Sequence, residues 1–309
     1  MKVVCLDAAT LAGTDLSALK QFGTIDIYET TFSGETLERI KTADIVITNK
    51  VVITEHMMAS CKHLKLICVA ATGMNNIDLE AAMQHNITVK NVAGYSTDSV
   101  VQHTFSMLLY LMGSSCYYDR YVKEAQWCKS PIFTHLDRPF GEIRGKKWGI
   151  VGLGAIGQGV ARVAEAFGAE VCYYSTSHQN HNDNYPSVGL SVLLETCDII
   201  SIHAPLNANT KGLIAQSELL QLKEGAFLLN LGRGGIVDEA ALARIIDVKD
   251  IKVGLDVLES EPMREDHPLL HVKNSDALYI TPHIAWTSIQ ARERLVDAIV
   301  HNIQTFING

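Results

Sequence analysis

Gly152-Leu153-Gly154-Ala155-Ile156-Gly157 constrains this chain more than any other segment. It is entered from the apolar run Trp148-Gly149-Ile150-Val151 and left through Val160, Ala161, Val163, Ala164 and Phe167, which are spaced as on a helix. Strand, three-glycine turn and helix stand in the order a dinucleotide-binding unit requires, and a second strand follows at 170–174. The first glycine permits the tight turn, and the second lets the backbone approach a pyrophosphate. The third lets the helix pack closely on the strand, so that the helix amides and dipole face the phosphates. Glycine-rich turns also occur for structural reasons alone, but the flanking elements favour a nucleotide cofactor here.

A length of 309 residues with 47% hydrophobic content suits two domains, each with its own core. The net charge of −8 argues against a surface that coats nucleic acid or an anionic membrane. The longest apolar run, at 107–112, is far too short to span a bilayer. The seven cysteines form no CxxC and no metal-ligand spacing, and they read as reduced core thiols. The chain enters a strand at Lys2 with no room for a signal peptide, so a cytoplasmic protein is expected.

Strands are expected at 3–7, 25–28, 44–48, 66–71 and 88–92, alternating with helical patterns at 16–22, 36–41, 55–61 and 79–85. Such alternation implies a parallel sheet wrapped by helices. A long apolar helix follows at 98–111, and after it comes a polar stretch with Trp127, Pro131 and Pro139. A second series of strands is expected at 147–151, 170–174, 199–203, 226–230, 253–258 and 278–281. The last segment, with Ile289, Leu295, Val296, Ile299, Val300 and Ile303, is an amphipathic helix that comes too late for the second sheet. It should return to the first domain and make that domain discontinuous. The boundaries are 1–97 plus 287–309 for one domain and 98–286 for the dinucleotide-binding domain. Residues 178–186 are rich in Asn and His and read as an exposed loop; His178 and His181 alone do not make a metal site.

Three segments after the glycine loop can carry chemistry. Arg233, in Leu231-Gly232-Arg233-Gly234-Gly235, follows an apolar strand. A guanidinium at the carboxyl end of a parallel strand suits a small carboxylate held bidentately, the bland alternative being an ion pair with Asp238. Asp256, Glu259 and Glu261 follow the next strand, and Thr281-Pro282-His283 follows the last. Arg, Glu and His at three strand ends fit the reduction of a 2-oxo acid. Arg233 would hold the carboxylate, and His283 would give a proton to the carbonyl as hydride reaches its carbon. A glutamate on the other ring nitrogen would fix the tautomer and favour the protonated ring; Glu261 is the candidate and Glu259 the rival. A nicotinamide cofactor would carry the hydride.

With these motifs in this order, the chain resembles the D-2-hydroxyacid dehydrogenase family over nearly its whole length. The resemblance implies catalytic roles for Arg233, Glu261 and His283, with Glu261 rather than Glu259 orienting the histidine. It implies a cofactor site built from Gly152, Gly154, Ala155, Ile156, Gly157, Ser175, Thr176, His203, Ala204, Pro205, Thr210, Leu231, Gly232, Arg233, Asp256, His283, Trp286 and Val100. Asp256 would bind the nicotinamide carboxamide. Thr72, Gly73 and Met74 would bind substrate with Arg233 and His283. The implied fold is α/β: two Rossmann-like domains with parallel sheets, the substrate domain flavodoxin-like and discontinuous, with a hinged cleft between them. A homodimer is expected, with residues 127–140 and the following 140–146 in the dimer-forming region.

Two departures from the family pattern bear on function. Ser175 stands where NAD-preferring members carry a ribose-binding aspartate, and no Arg or Lys lies between it and Pro186; only His178 and His181 could attract a 2′-phosphate. The expected cofactor is NAD(H), with NADP(H) as the alternative. Gln102 replaces a common glutamate on the long helix. The runs Ile284-Ala285-Trp286 and Tyr173-Tyr174-Ser175-Thr176-Ser177 resemble glycerate dehydrogenases, also called hydroxypyruvate reductases. Hydroxypyruvate to D-glycerate is therefore the expected reaction, in a pocket around Met74, Ser96 and Trp286, with glyoxylate secondary. The alternatives are a D-lactate or broad D-2-hydroxyacid dehydrogenase, a phosphite dehydrogenase, or a non-catalytic cofactor-sensing corepressor.

Overall fold

A computed structural model describes residues 1–177 and 181–309. The chain forms two compact units: Met1–Ser96 with Thr287–Gly309, and Thr97–Trp286.

The first unit holds β1 (Lys2–Cys5), β2 (Thr24–Ile27), α1 (Thr36–Ile40), β3 (Ile45–Thr48), α2 (Glu55–Ser60), β4 (Leu66–Val69), α3 (Leu79–Gln84) and β5 (Thr88–Lys90). Its sheet is parallel throughout, in the flavodoxin-like order β2-β1-β3-β4-β5. Every residue of β3 and β4 is buried, as befits strands covered on both faces, which is why they read as unbroken apolar runs. The C-terminal helix Ile289–Asn308 belongs to this unit, and its polar side chains tie it down. Arg292 donates to the carbonyls of Leu11 and Ala12, Arg294 to that of Tyr95, and Asn302 to that of Asn91.

The second unit begins with α4 (Thr97–Met112) and α5 (Ser115–Lys123). It continues through β6 (Lys147–Val151), α6 (Ala155–Ala166), β7 (Glu170–Tyr174), α7 (Leu190–Thr196), β8 (Ile199–Ile202) and α8 (Gln216–Gln221). It ends with β9 (Ala226–Asn230), α9 (Glu239–Ile246), β10 (Ile251–Leu255) and β11 (Leu278–Ile280). The parallel order is β11-β10-β9-β8-β6-β7. Outside β7 the place of a further strand is taken by a single bridge, Tyr173 to Ser187. One face is filled by Phe105, Met107 and Leu108 of α4 packed with Trp148, Val160 and Ala164. The other carries Leu193, Leu219, Leu242 and Ile245 from α7, α8 and α9.

Because all six strands run the same way, the segments after β6, β7, β8, β9, β10 and β11 emerge at one edge. β6 sits between β7 and β8, where the winding reverses, so the glycine loop opens at the switch point.

Residues 17–22 form a 3-10 helix, a helical turn as expected. Two expectations shift. β10 ends at Leu255 rather than 258, with a bend at Asp256. Cys116 and Cys128 are exposed, so they are not core thiols. Among the described residues no helix is long and apolar enough to cross a membrane.

Trp148 is fully buried, and its indole N–H donates to Ser201 Oγ at 2.9 Å across β6 and β8. Ser201→Ala strands that donor in the core, at a cost on the order of 1–3 kcal/mol. The denaturation midpoint followed by tryptophan fluorescence should fall accordingly; an unmoved midpoint would show that the bond does not hold the sheet.

Candidate active site

The glycine loop has the form the sequence implies. Gly152 lies at φ +92°, a backbone angle that favours glycine, and an added Cβ would stand 3.0 Å from the Ala204 backbone. A Cβ on Gly157 would meet the Gly152 carbonyl oxygen at 2.4 Å, so this glycine is the packing glycine. Gly154 has nothing within 4 Å of its Cβ position: its bareness serves no internal contact and leaves the turn open to a ligand. α6 starts there, at Ala155 and Ile156, with no side-chain cap, so its first amides are available to an anion.

The strands flanking β6 deliver two buried polar groups with no partner among the described residues. They are Ser175 Oγ after β7 and both ring nitrogens of His203 after β8. Burial pushes the His203 pKa down to about 3, so this ring is neutral across the physiological range. Groups of this kind fit the hydroxyl-rich ribose of a dinucleotide, which would satisfy them. Thr176 is half-buried beside Ser175. Thr210 has no exposed surface, and its hydroxyl donates to the Pro205 carbonyl and accepts from Asn207 N. It shapes the loop after Pro205. His181 pairs with Asp183 at 2.9 Å, and His178 lies outside the described residues. No cluster of metal-ligating side chains occurs among the described residues.

Arg233 sits in a loop shaped by buried Asn230, which accepts from Gly232 N and donates to the Arg233 carbonyl. Its guanidinium donates only to the Gly232 carbonyl at 2.8 Å, and among the described residues it forms no ion pair. The suspected pairing with Asp238 is absent, because Asp238 caps α9 through Ala241 N. The neighbouring glycines set what the loop touches. A Cβ on Gly232 would lie 2.7 Å from the Ala204 carbonyl oxygen. One on Gly234 would lie 1.9 Å from the Leu258 carbonyl and 2.4 Å from Glu259 N. The segments after β8, β9 and β10 are thus stacked backbone on backbone.

His283 is held in the left-handed region, φ +56°, by its own N–H, which reaches the carbonyls of Asp256 and Thr281. Asp256 is 2% exposed, and its carboxylate accepts from Thr281 Oγ, Ile284 N and Ala285 N at 2.6–2.9 Å. Expected as a carboxamide partner, it first of all organises this turn. His103 of α4 completes the arrangement. Burial lowers its pKa against the opposing pull of Asp256, so it is neutral and donates Nε2–H to Thr281 Oγ at 3.1 Å, whose own proton is spent on Asp256.

Glu261 is the glutamate that meets the histidine: Oε2 lies 2.6 Å from His283 Nδ1, while Oε1 accepts from Leu258 N at 3.0 Å. A carboxylate only accepts, so Nδ1 carries hydrogen and Nε2 is the nitrogen left to face a reactant. The side chains are 23% and 33% exposed, open enough to meet one.

Trp286 is half-buried, and Val100, Ala204 and Leu231 are buried at the same end of the unit. Thr72, Gly73 and Met74 follow β4 in the first unit. There the Thr72 hydroxyl donates to the Val92 carbonyl and the Met74 carbonyl accepts from Ile77 N.

Motif reading passes over Glu239 and His267. Glu239 Oε2 lies 2.8 Å from His267 Nε2, and Glu239 Oε1 accepts from Glu259 N at 2.6 Å. The available signal was His267-Pro268, a capping residue with proline at the first helical position.

Residues 105–285 match the model of the D-isomer specific 2-hydroxyacid dehydrogenase NAD binding domain. A hydroxypyruvate reductase of Blautia hydrogenotrophica is 35% identical over 100% of this chain and 98% of its own length. A glycerate dehydrogenase of Methylorubrum extorquens is 34% identical over 100% of this chain and 96% of its own. Among solved structures, the D-lactate dehydrogenase of Aquifex aeolicus in complex with NAD and lactic acid superposes with a TM-score of 0.86. It is 27% identical, over 100% of this chain and 96% of that one. The chain therefore belongs to the D-isomer specific 2-hydroxyacid dehydrogenase family, oxidoreductases that act on a CH–OH donor with a nicotinamide cofactor.

Proposed function

We propose that the chain interconverts hydroxypyruvate and D-glycerate, with Arg233, Glu261 and His283 as its catalytic residues. The observation that carries this reading is the 2.6 Å Glu261–His283 pair, next to a loop whose arginine makes no ion pair among the described residues. Arg233 offers paired N–H donors to a carboxylate and fixes which end of the oxo acid lies beside the histidine. His283 Nε2 donates a proton to the carbonyl oxygen as negative charge develops there, and takes it back in the oxidative direction. Glu261 keeps the ring in one tautomer and one orientation. Bound nicotinamide supplies or accepts the hydride. The names of the two full-length relatives support the three-carbon substrate.

The purified protein, assayed with hydroxypyruvate, glyoxylate, pyruvate and branched 2-oxo acids, should show its highest kcat/KM with hydroxypyruvate and lesser turnover of glyoxylate. Preference for pyruvate would move the assignment to a D-lactate dehydrogenase, and preference for a branched acid would overturn it. His283→Ala should lower kcat roughly 10²–10⁴-fold with NADH binding retained. Arg233→Ala should raise the oxo-acid KM about tenfold to a hundredfold, the worth of a charged hydrogen bond.

NAD(H) is the proposed cofactor, with NADP(H) the weaker alternative. The Ser175 hydroxyl suits a ribose hydroxyl, and His181, the one described candidate for a 2′-phosphate, already faces the Asp183 carboxylate. NADH should give the higher kcat/KM, and Ser175→Asp should widen the gap by repelling a phosphate. Faster turnover with NADPH in the unaltered protein would reverse this assignment.

The chain is further proposed to act as a cytoplasmic homodimer. Trp127, Ile132, Phe133, Leu136 and Phe140 are all exposed, Phe133 at 88%, in a single stretch of the kind that a second copy would cover. Light scattering should give twice the chain mass, and Phe133→Glu should shift it toward the monomer.

A further inference from the structure

We propose that Glu239 and His267 are a positioning pair that holds the 258–261 segment and thereby sets the Glu261 carboxylate against His283. The inference rests on the catalytic reading of that dyad.

Glu239 is the first residue of α9, but it does not cap the helix, since Asp238 already accepts from Ala241 N. Its carboxylate instead leaves the helix and divides between two partners. Oε1 takes the Glu259 amide at 2.6 Å and Oε2 takes His267 at 2.8 Å. Both side chains are nearly buried, 9% exposed for Glu239 and 10% for His267.

The tautomer of His267 is fixed by its own surroundings. Its Nδ1 accepts from Leu269 N at 3.3 Å, capping the 3-10 turn Pro268–His271, so the hydrogen sits on Nε2 and points at Glu239.

The held peptide matters because of its place. Its opposite side is pressed against Gly234, where a Cβ would fall 1.9 Å from the Leu258 carbonyl. The preceding amide, Leu258 N, donates to Glu261 Oε1. Two successive amides are therefore taken by two carboxylates, Leu258 N by Glu261 and Glu259 N by Glu239. With Glu239 disengaged, the Glu259 peptide is free to turn, and the Leu258–Glu261 bond that aims Oε2 at His283 loses its fixed base. Displacements of about 1 Å near a proton-transfer pair carry large rate penalties.

Two changes at His267 separate positioning from mere stability. His267→Asn keeps a cap acceptor for Leu269 N but cannot reach Glu239, whereas His267→Gln reaches Glu239 with an N–H. We expect kcat to fall on the order of tenfold in His267→Asn, with the oxo-acid KM and NADH affinity nearly unchanged, and to recover in His267→Gln. In a Glu261→Gln background His267→Asn should have little further effect, because both act through one dyad. An unchanged kcat in His267→Asn, or effects that multiply in the double variant, would overturn the proposal. So would equal losses of stability in both variants with turnover intact. Proton NMR of the His283 Nδ1–H signal and amide exchange at 259–261 give a readout independent of turnover. His267→Asn should broaden that signal and speed that exchange. If the unaltered protein reduces no 2-oxo acid, the catalytic reading falls on its own, and an unchanged signal and unchanged exchange would then refute the positioning pair separately.

Discussion

The site depends on one buried carboxylate. Asp256 stands where β10 ends, and all the groups it accepts from lie in the segment after β11, namely Thr281, Ile284 and Ala285. Its backbone carbonyl also accepts from His283 N. A carboxylate taken out of water is costly unless its lone pairs are occupied, and here occupying them forces the chain after β11 to wrap around it. That wrapping requires the left-handed backbone angle of His283, a conformation a non-glycine residue adopts at a cost. The strain is local and serves to turn the ring outward beside Glu261.

The loops around this anchor are held less by side chains than by their absence. Gly232 and Gly234 let the segments after β8, β9 and β10 meet through their backbones, closer than any Cβ would permit. Arg233 stands between those two glycines, so its position follows from the packing of its neighbours while its guanidinium, bonded to the Gly232 carbonyl, forms no ion pair among the described residues. A cation without an ion pair on a fixed base is suited to gripping a carboxylate whose partner group must be placed to within fractions of an ångström.

The sheets and the glycine loop were legible in the sequence because they rest on local signals, apolar runs and glycine spacing. The eleven strands fall within a few residues of their expected places, since parallel strands buried on both faces leave little ambiguity. The site was only partly legible. Glu259 and Glu261 are two residues apart and equivalent by composition, so the resemblance, not the residues, chose between them. The structure supplies the reason: the amide of Glu259 is bound to Glu239, whereas the side chain of Glu261 reaches the histidine. Spacing does not show which way a hydroxyl turns: that of Thr210 is spent on the Pro205 carbonyl. Glu239 and His267 escaped altogether. They are 28 residues apart, and nothing periodic connects a helix start to a loop cap.

Four imidazoles in this unit show how surroundings sort one side chain into different roles. His203 has both ring nitrogens enclosed without a partner among the described residues and stays neutral. His103 is neutral by burial and spends Nε2–H on Thr281. His267 has both nitrogens engaged, one accepting from Leu269 N and one donating to Glu239. His283 differs from all three in having a carboxylate at hydrogen-bond distance on Nδ1 and, among the described residues, no hydrogen bond at Nε2. A proton carrier needs both: an acceptor that stabilises the ring when it holds two protons, and an open nitrogen from which one can leave. A lone histidine in a sequence says nothing about this choice. What decides it is the company each ring keeps, and three of the four have company that uses up or hides the nitrogen a substrate would need.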